Sequence, residues 1–383
     1  MTESKIENYV DFGDFMVFAE ASIQTCVFIL NKQLAPEGYT ITFNKVLSKK
    51  ISATELIAYL TNNQTTKNVS STSVLINPAI MKDGLINFVG NDNEKILQKI
   101  AGLANYTFNE KEIAQGIVCP QDSLLTKHLD VLKNNDLKKG DGVFVINTVE
   151  KTNLKLAQKE DSIVKPYYTT EQLKTYYGDT NNSHWVIYSD LSVRQNISKY
   201  PNIKKHLDKY KKIITSDFAP YGLHRAREQK FFEGEKIISL RKTPYPRFTY
   251  NDFPCYVSQS YYVLKPQNIN LKYLLGILNS RLMYFWLYNR GKKQGEQLQV
   301  DKEPLLDIPV FVGTDAQQKE LIDLVDKMLM LLKQEHETAD TDSKNIIQRT
   351  IKAAQKMIDK AVYGLYRLDI DEVDILGRVN EAR

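Results

Sequence analysis

The segment Ile23-Gln-Thr-Cys-Val-Phe-Ile-Leu-Asn31 is dominated by β-branched and apolar residues, and it follows the turn-rich stretch 11–21. Such a run is typical of a strand that is buried on both faces, so we expect a buried strand here. Because only 22 residues precede it, its partner strands are expected from later residues or from a missing upstream part of the protein. We therefore expect the start of this sequence to be truncated.

After this first segment, residues 41–145 alternate short strand-like and helical patterns. Val74–Ile76 and Leu85–Val89 favour strands, and Asn93–Leu103 favours a helix. A glycine- and lysine-rich turn at Leu137–Gly142 leads into the predicted strand Val143–Asn147. We interpret 41–145 as a connecting α/β region, with a domain boundary near that turn.

Two helical seams mark the C-terminal third. Their apolar residues recur at steps of three and four, which is the period of one helix face. The residues are Leu321, Val325, Met328 and Leu332 in the first seam, and Ile347, Ile351, Ala354, Ile358, Ala361 and Leu365 in the second. The polar, acidic segment Glu335–Ser343 separates them, so residues 313–383 are predicted to contain an antiparallel helical hairpin with a structural role. Together with the strands, this indicates an α+β protein.

Positive charge is concentrated in the middle of the chain. The 383 residues carry a formal net charge of +5, but residues 161–300 hold 22 Lys and Arg against 11 Asp and Glu, together with 16 of the 22 tyrosines and both tryptophans. A basic surface interleaved with aromatic rings suits a nucleic-acid partner. A tyrosine-rich fold with a solvated lysine face explains the same composition.

Several function classes lack their usual motifs. The sequence has no glycine-rich phosphate loop of either common type and no G-x-S-x-G nucleophile elbow, and its five histidines never pair at i, i+4. The cysteines Cys26, Cys119 and Cys255 fit neither a disulfide framework nor a paired metal-ligand spacing, so we expect three free thiols in a reducing cytoplasm. The longest apolar runs are far shorter than a membrane span. We therefore expect no metal, no membrane segment and no self-sufficient active site.

Two neighbouring segments stand out chemically: Tyr221-Gly-Leu-His-Arg-Ala-Arg-Glu-Gln-Lys230 and Arg241-Lys-Thr-Pro-Tyr-Pro-Arg247. Residues 191–250 contain 14 basic against 5 acidic residues. The planar guanidinium of arginine either reads guanine O6 and N7 or clamps a phosphate. An ordinary surface ion pair explains any single arginine, but the cluster favours a nucleic-acid surface.

At this level the sequence resembles the C-terminal part of γ-class adenine-specific DNA methyltransferases, including the fused type IIG restriction-modification enzymes, and in particular the TaqI-like specificity domain. The resemblance covers nearly the whole chain and depends on several short phrases in the family's order. They are 11–18, 21–30, Glu112–Val118, Val164–Tyr168, Trp185–Tyr188, Tyr200–Leu207, Leu271–Ser280 and Leu306–Val310.

The resemblance implies a domain order and a division of chemistry. Residues 1–40 would be the last strands of a methyltransferase-like domain, 146–312 a specificity domain that recognises double-stranded DNA, and 313–383 the helical hairpin. The family's S-adenosylmethionine site and its Asn-Pro-Pro-Tyr motif would lie upstream, and Asn77-Pro78 continues here as Ala-Ile. This chain alone is therefore predicted to hold no cofactor and to be inactive as a methyltransferase. It would act with an upstream methyltransferase domain or subunit that binds S-adenosylmethionine.

The predicted site combines basic residues with one aromatic residue. By resemblance, Phe18 is the match to a residue that stacks on an extruded base, although a core phenylalanine explains it as well. The predicted DNA-binding residues are Lys165, Lys204, Lys205, His224, Arg225, Arg227, Arg241, Lys242, Arg247, Arg290, Lys292 and Lys293. Two alternatives stay open: an interaction scaffold whose basic face binds RNA or an acidic protein, and an enzyme with an unrecognised site.

Overall fold

The structure is a computed structural model that describes residues 4–381, except 19, 22, 37, 49, 63–65, 77–90, 216, 217, 219, 295 and 296. The strands are β1 (Lys5–Asp11), β2 (Cys26–Asn31), β3 (Tyr39–Val46), β4 (Val69–Ile76), β5 (Ile113–Gln115), β6 (Val145–Asn147), β7 (Val164–Tyr167), β8 (Tyr176–Tyr177), β9 (His184–Ile187), β10 (Lys236–Leu240), β11 (Lys242–Thr243), β12 (Phe248–Asn251), β13 (Tyr261–Leu264), β14 (Lys292–Gln294) and β15 (Gln297–Gln299). The helices are α1 (Ala53–Asn62), α2 (Asn91–Leu103), α3 (Thr126–Leu132), α4 (Thr148–Asn153), α5 (Gln158–Asp161), α6 (Leu191–Gln195), α7 (Pro201–Asp208), α8 (Leu271–Leu278), α9 (Arg281–Arg290), α10 (Lys302–Leu306), α11 (Asp315–Glu337), α12 (Thr341–Leu365) and α13 (Ile370–Glu381). The predicted α+β class is confirmed.

The chain divides into two compact units. The first contains 1–103, 288–297 and 369–383, and the second contains 104–287 and 298–368. None of the helices in the described residues is long and apolar enough to cross a membrane. The functional bounds predicted from the sequence stay a prediction.

A four-stranded sheet in the order β2-β1-β3-β4 forms the centre of the first unit. Strand β2 confirms that residues 23–31 contain a strand, but the predicted burial is wrong, because all six of its residues are exposed. The prediction of its partners is also wrong, since β2 pairs antiparallel with the upstream strand β1. In β1 only Ile6 and Val10 are buried, and the charged residues between them hide this alternation from a search for apolar runs.

Other elements of the first unit agree better with the predictions from the sequence. Helix α2 confirms the helix expected at 93–103, and β4 contains the strand expected at 74–76. The strand expected at Leu85–Val89 lies outside the described residues, as does Asn77-Pro78. Helix α13 begins in the acidic stretch 369–374, and Glu372 forms an ion pair with Lys99 of α2 at 2.6 Å. That stretch therefore starts a further helix.

The second unit contains a five-stranded sheet in the order β5-β13-β10-β12-β8 and a three-stranded sheet in the order β6-β9-β7. Strand β10 is central in the larger sheet. Its residues 236–239 are all buried, so both faces of the sheet are covered at this strand. The strand expected at 143–147 forms only from Val145.

Helices α11 and α12 form the predicted hairpin, joined by the short turn 338–340. In the first seam, position 331 is buried instead of Leu332. Helix α8 packs closely against α11 at Gly276. A Cβ there would lie 2.9 Å from Leu321 Cδ1 and 3.0 Å from Val325 Cγ2, so a larger residue would separate these helices.

Candidate nucleic-acid interface

The loop 221–228 of the second unit carries the densest predicted site. Leu223 is buried, whereas His224 and Arg225 are exposed. The Leu223 amide donates to the Ser189 carbonyl at 3.0 Å. Arg225 and Val118 exchange both backbone hydrogen bonds, at 3.2 and 3.0 Å. The loop therefore has a fixed backbone that presents two basic side chains to solvent.

Arg227, near the end of this loop, has a left-handed backbone conformation with φ of 66°. This conformation costs a residue that has a side chain about 1–2 kcal/mol. Its carbonyl accepts a hydrogen bond from the Tyr188 hydroxyl. Its guanidinium donates to Gln115 Oε1 at 3.2 Å and to the Gly116 carbonyl at 3.5 Å. Burial, and then the charge of Arg225, lower the pKa of Arg227. The Arg227 side chain therefore bonds mainly to groups of the protein itself.

Gly116 allows this anchoring because the backbone approaches another chain segment closely. A Cβ at this position would overlap the carbonyl oxygens of Val257 and Ser258. The Ile117 amide donates to the Val257 carbonyl at 2.8 Å. Only glycine fits between these backbones, so the acceptors of Arg227 have a fixed position.

Helix α7 carries a second basic group. Asp208 accepts from Lys204 Nζ and from Lys211 Nζ, each at 2.8 Å, and from the Tyr221 hydroxyl at 2.6 Å. The hydrogen bond from Lys204, followed by those from Lys211 and Tyr221, holds the pKa of Asp208 well below its usual range. Lys205 is exposed on the same helix and makes no ion pair within the described residues. Part of this basic charge is therefore neutralised internally.

In the second basic segment, residues 241–247, both arginines bond to other groups of the protein. Arg241 forms an ion pair with Asp301. Arg247 Nη2 donates to the carbonyl oxygens of Thr170, at 3.0 Å, and of Leu173. These contacts give both arginines a structural role. Lys242 is exposed in the short strand β11.

Of the remaining predicted residues, Lys165 lies half-buried in β7, with Nζ 6.0 Å from the centroid of the Tyr256 ring.

In the first unit, Arg290 pairs with Glu94 at 2.5 Å, and Lys293 Nζ lies 3.4 Å from the centroid of the Tyr288 ring. Lys292 is exposed in β14, and Phe18 is 59% exposed and is not a core residue. The structure thus divides the predicted residues between the two units, and His224, Arg225 and Arg227 share one loop.

A cleft of about 660 Å³ lies beside Arg227 and contains two basic residues, Lys111 and Lys302, that the sequence did not single out. Lys111, Lys230 and Lys302 line it together with Tyr262. Lys230 pairs with Glu228 at 2.7 Å and Lys302 with Glu110 at 3.4 Å. These lysines are far apart in the sequence, so no local charge run could reveal the cleft.

The cysteines Cys26, Cys119 and Cys255 are free, as expected. Within the described ranges, no group of three or more His, Cys, Asp or Glu side chains is placed to hold a metal ion.

The described residues form a mixed α+β fold whose second unit presents several exposed basic side chains. Residues 193–310 match the family model of the TaqI-like C-terminal specificity domain, which confirms the resemblance for that segment. No curated protein matches the sequence significantly.

Similar structures are known among restriction-modification enzymes. The type IIL enzyme MmeI, solved in complex with DNA, matches with a TM-score of 0.57 and 13% identity, over 98% of this chain and 45% of that chain. The type IIG restriction endonuclease BpuSI matches with a TM-score of 0.37 and 11% identity, over 94% of this chain and 44% of that chain. The likeness to MmeI concerns the fold alone, and this chain spans less than half the length of either protein.

Proposed function

We propose that this chain recognises a short sequence of double-stranded DNA in the cytoplasm, as the specificity part of an adenine-specific restriction-modification methyltransferase. The observation that carries the proposal is the match of residues 193–310 to a TaqI-like specificity domain. The matched segment contains the most basic part of the chain and the anchored loop 221–228. A basic surface supplies the phosphate contacts, and exposed side chains on a fixed backbone supply base contacts.

The methyl-transfer chemistry belongs to an upstream methyltransferase domain or subunit in this proposal. S-adenosylmethionine binds that partner, and this chain alone transfers no methyl group. Calorimetry with S-adenosylmethionine tests this part directly: we expect no binding to the chain alone, and tight 1:1 binding would contradict the assignment.

The DNA-binding role is tested by fluorescence anisotropy with a labelled duplex, with unlabelled duplex DNA, duplex RNA and heparin as competitors. We expect duplex DNA to compete best at moderate salt, and binding to weaken steeply as salt rises. Better competition by RNA would favour the alternative of an RNA-binding scaffold. Equal competition by heparin would leave only a nonspecific basic face and would contradict the proposal.

A further inference from the structure

The five arginines of the basic segment 191–250 differ sharply in what they contact. Four of them interact with other described residues. Arg194 lies 3.9 Å from the centroid of the Phe218 ring, Arg241 pairs with Asp301, and Arg227 and Arg247 donate to groups within the fold. Arg225 is exposed and forms no side-chain hydrogen bond or ion pair with the part of the chain that is described.

Several hydrogen bonds hold the backbone on either side of Arg225. It is tied to Ser189 through Leu223 and to Val118 through Arg225 itself, and the Arg227 carbonyl is tied to Tyr188. Ala226 packs against the core of the second unit. A fixed backbone removes much of the entropic cost of placing a side chain against a base edge.

The electrostatics around Arg225 favour an electronegative ligand. Its charge is close enough to Arg227 to lower the pKa of that residue, although burial is the larger cause. The nearest acidic residue along the chain, Glu228, is already paired with Lys230. Two neighbouring guanidinium groups repel each other until an acceptor approaches, and guanine offers O6 and N7 in the geometry that one guanidinium matches.

We infer that Arg225 is the residue of this loop that reads a guanine in the major groove, and that Arg227 is a positioning residue that fixes the loop through Gln115, Gly116 and Tyr188. This inference rests on the proposed function. It assigns no base contact to Arg241 or Arg247, because their side chains already bond to other groups of the protein.

The first test uses the wild-type chain to enrich its preferred duplex from a pool with a randomised centre. Each guanine of that motif is then replaced in turn by 7-deazaguanine, which lacks the N7 acceptor. We expect one such replacement to lower the affinity of the wild-type chain for the duplex. The same replacement should leave the affinity of Arg225→Ala unchanged. On the unmodified motif, Arg225→Ala and Arg225→Lys should each lose about 5- to 150-fold in affinity.

The second test separates positioning from contact. Arg227→Gln should lose preference at the same guanine as Arg225→Ala, and the double variant should bind no more weakly than Arg225→Ala alone. Arg227→Lys should recover part of the preference. On permuted duplexes, Arg227→Gln should keep the wild-type salt slope, because a positioning residue neutralises no phosphate. A lower slope would show a phosphate contact and overturn the positioning role.

Arg349 on α12 is exposed and lies outside the basic segment, so Arg349→Ala is the matched control and should change neither affinity nor preference. Failure of the wild-type chain to enrich any motif would overturn the proposed function together with this inference. Enrichment of the same motif by Arg225→Ala with undiminished affinity would overturn the inference alone.

Discussion

Asp208 illustrates how a single acidic residue controls the charge of the basic segment. It holds Lys204 and Lys211, each at 2.8 Å. We expect Asp208→Asn to strengthen binding to every duplex alike, because it removes a negative charge and releases two lysines for phosphates. If both lysines then contact phosphates, the salt slope should increase by about two. Affinities for preferred and permuted duplexes across a salt series measure both effects.

The matched control for Asp208→Asn is Asp326→Asn, since Asp326 also pairs with a lysine, Lys272, at 2.5 Å, but in the α11 region. This control should leave duplex affinity unchanged. Equal or weaker binding by Asp208→Asn would show that α7 does not face the DNA.

Lys236 makes stability depend on pH. Its side chain is fully buried and donates to the carbonyl oxygens of Gly234 at 2.7 Å and Phe253 at 2.6 Å, and burial lowers its pKa to about 8 from the ordinary 10.5. Between these values the unfolded chain binds more protons than the folded one, so this group's contribution to stability rises with pH. From about pH 7 to about pH 10 the gain should be roughly 2 kcal/mol.

Denaturant titrations of the wild type and Lys236→Met across this pH range isolate that contribution. Buried tyrosines shift stability in both proteins, so only the difference between the two free energies of unfolding is informative. The wild-type advantage should grow with pH. A difference that is constant with pH would contradict the assigned shift.

At the scale of elements, β2 is an edge strand whose apolar side chains are exposed. Val27, Phe28, Ile29 and Leu30 are all about half exposed, with values from 47% to 56%. Such an edge is a template for pairing with another strand. We expect Ile29→Lys to reduce self-association in light scattering and sedimentation, without changing duplex affinity. Ile346→Lys, at an exposed apolar position on α12, is the control that should change neither, and unaltered self-association of Ile29→Lys would contradict the role of the edge.

The same strand shows what the sequence could predict at this scale. The apolar run 23–31 predicted a strand correctly, because local composition determines extended structure. It could not predict exposure, which depends on whether other elements cover the strand. The helical seams were more informative, since each buries one face against a helix nearby in sequence. The sequence missed that position 331 is buried instead of 332 and that Val362 is buried instead of Ala361.

At the scale of the whole molecule, the candidate site depends on contacts between distant residues. Charge counting found the basic segment and loop 221–228. It could not find Gln115 and Gly116 as partners of Arg227, which lie more than a hundred residues away, nor Lys111 and Lys302 of the neighbouring cleft. The antiparallel bridge between Val118 and Arg225 brings the segment 115–118 beside loop 221–228, and no local pattern encodes that pairing.

The most direct test of sequence-specific recognition is the ratio of affinities for two duplexes at about 0.15 M salt. One carries the motif that the full chain enriches from a random pool, and the other carries the same bases in permuted order. A specific reader should bind the first duplex about a thousandfold or more tightly. Equal affinities for the two duplexes would contradict the account and reduce the basic surface to a nonspecific one.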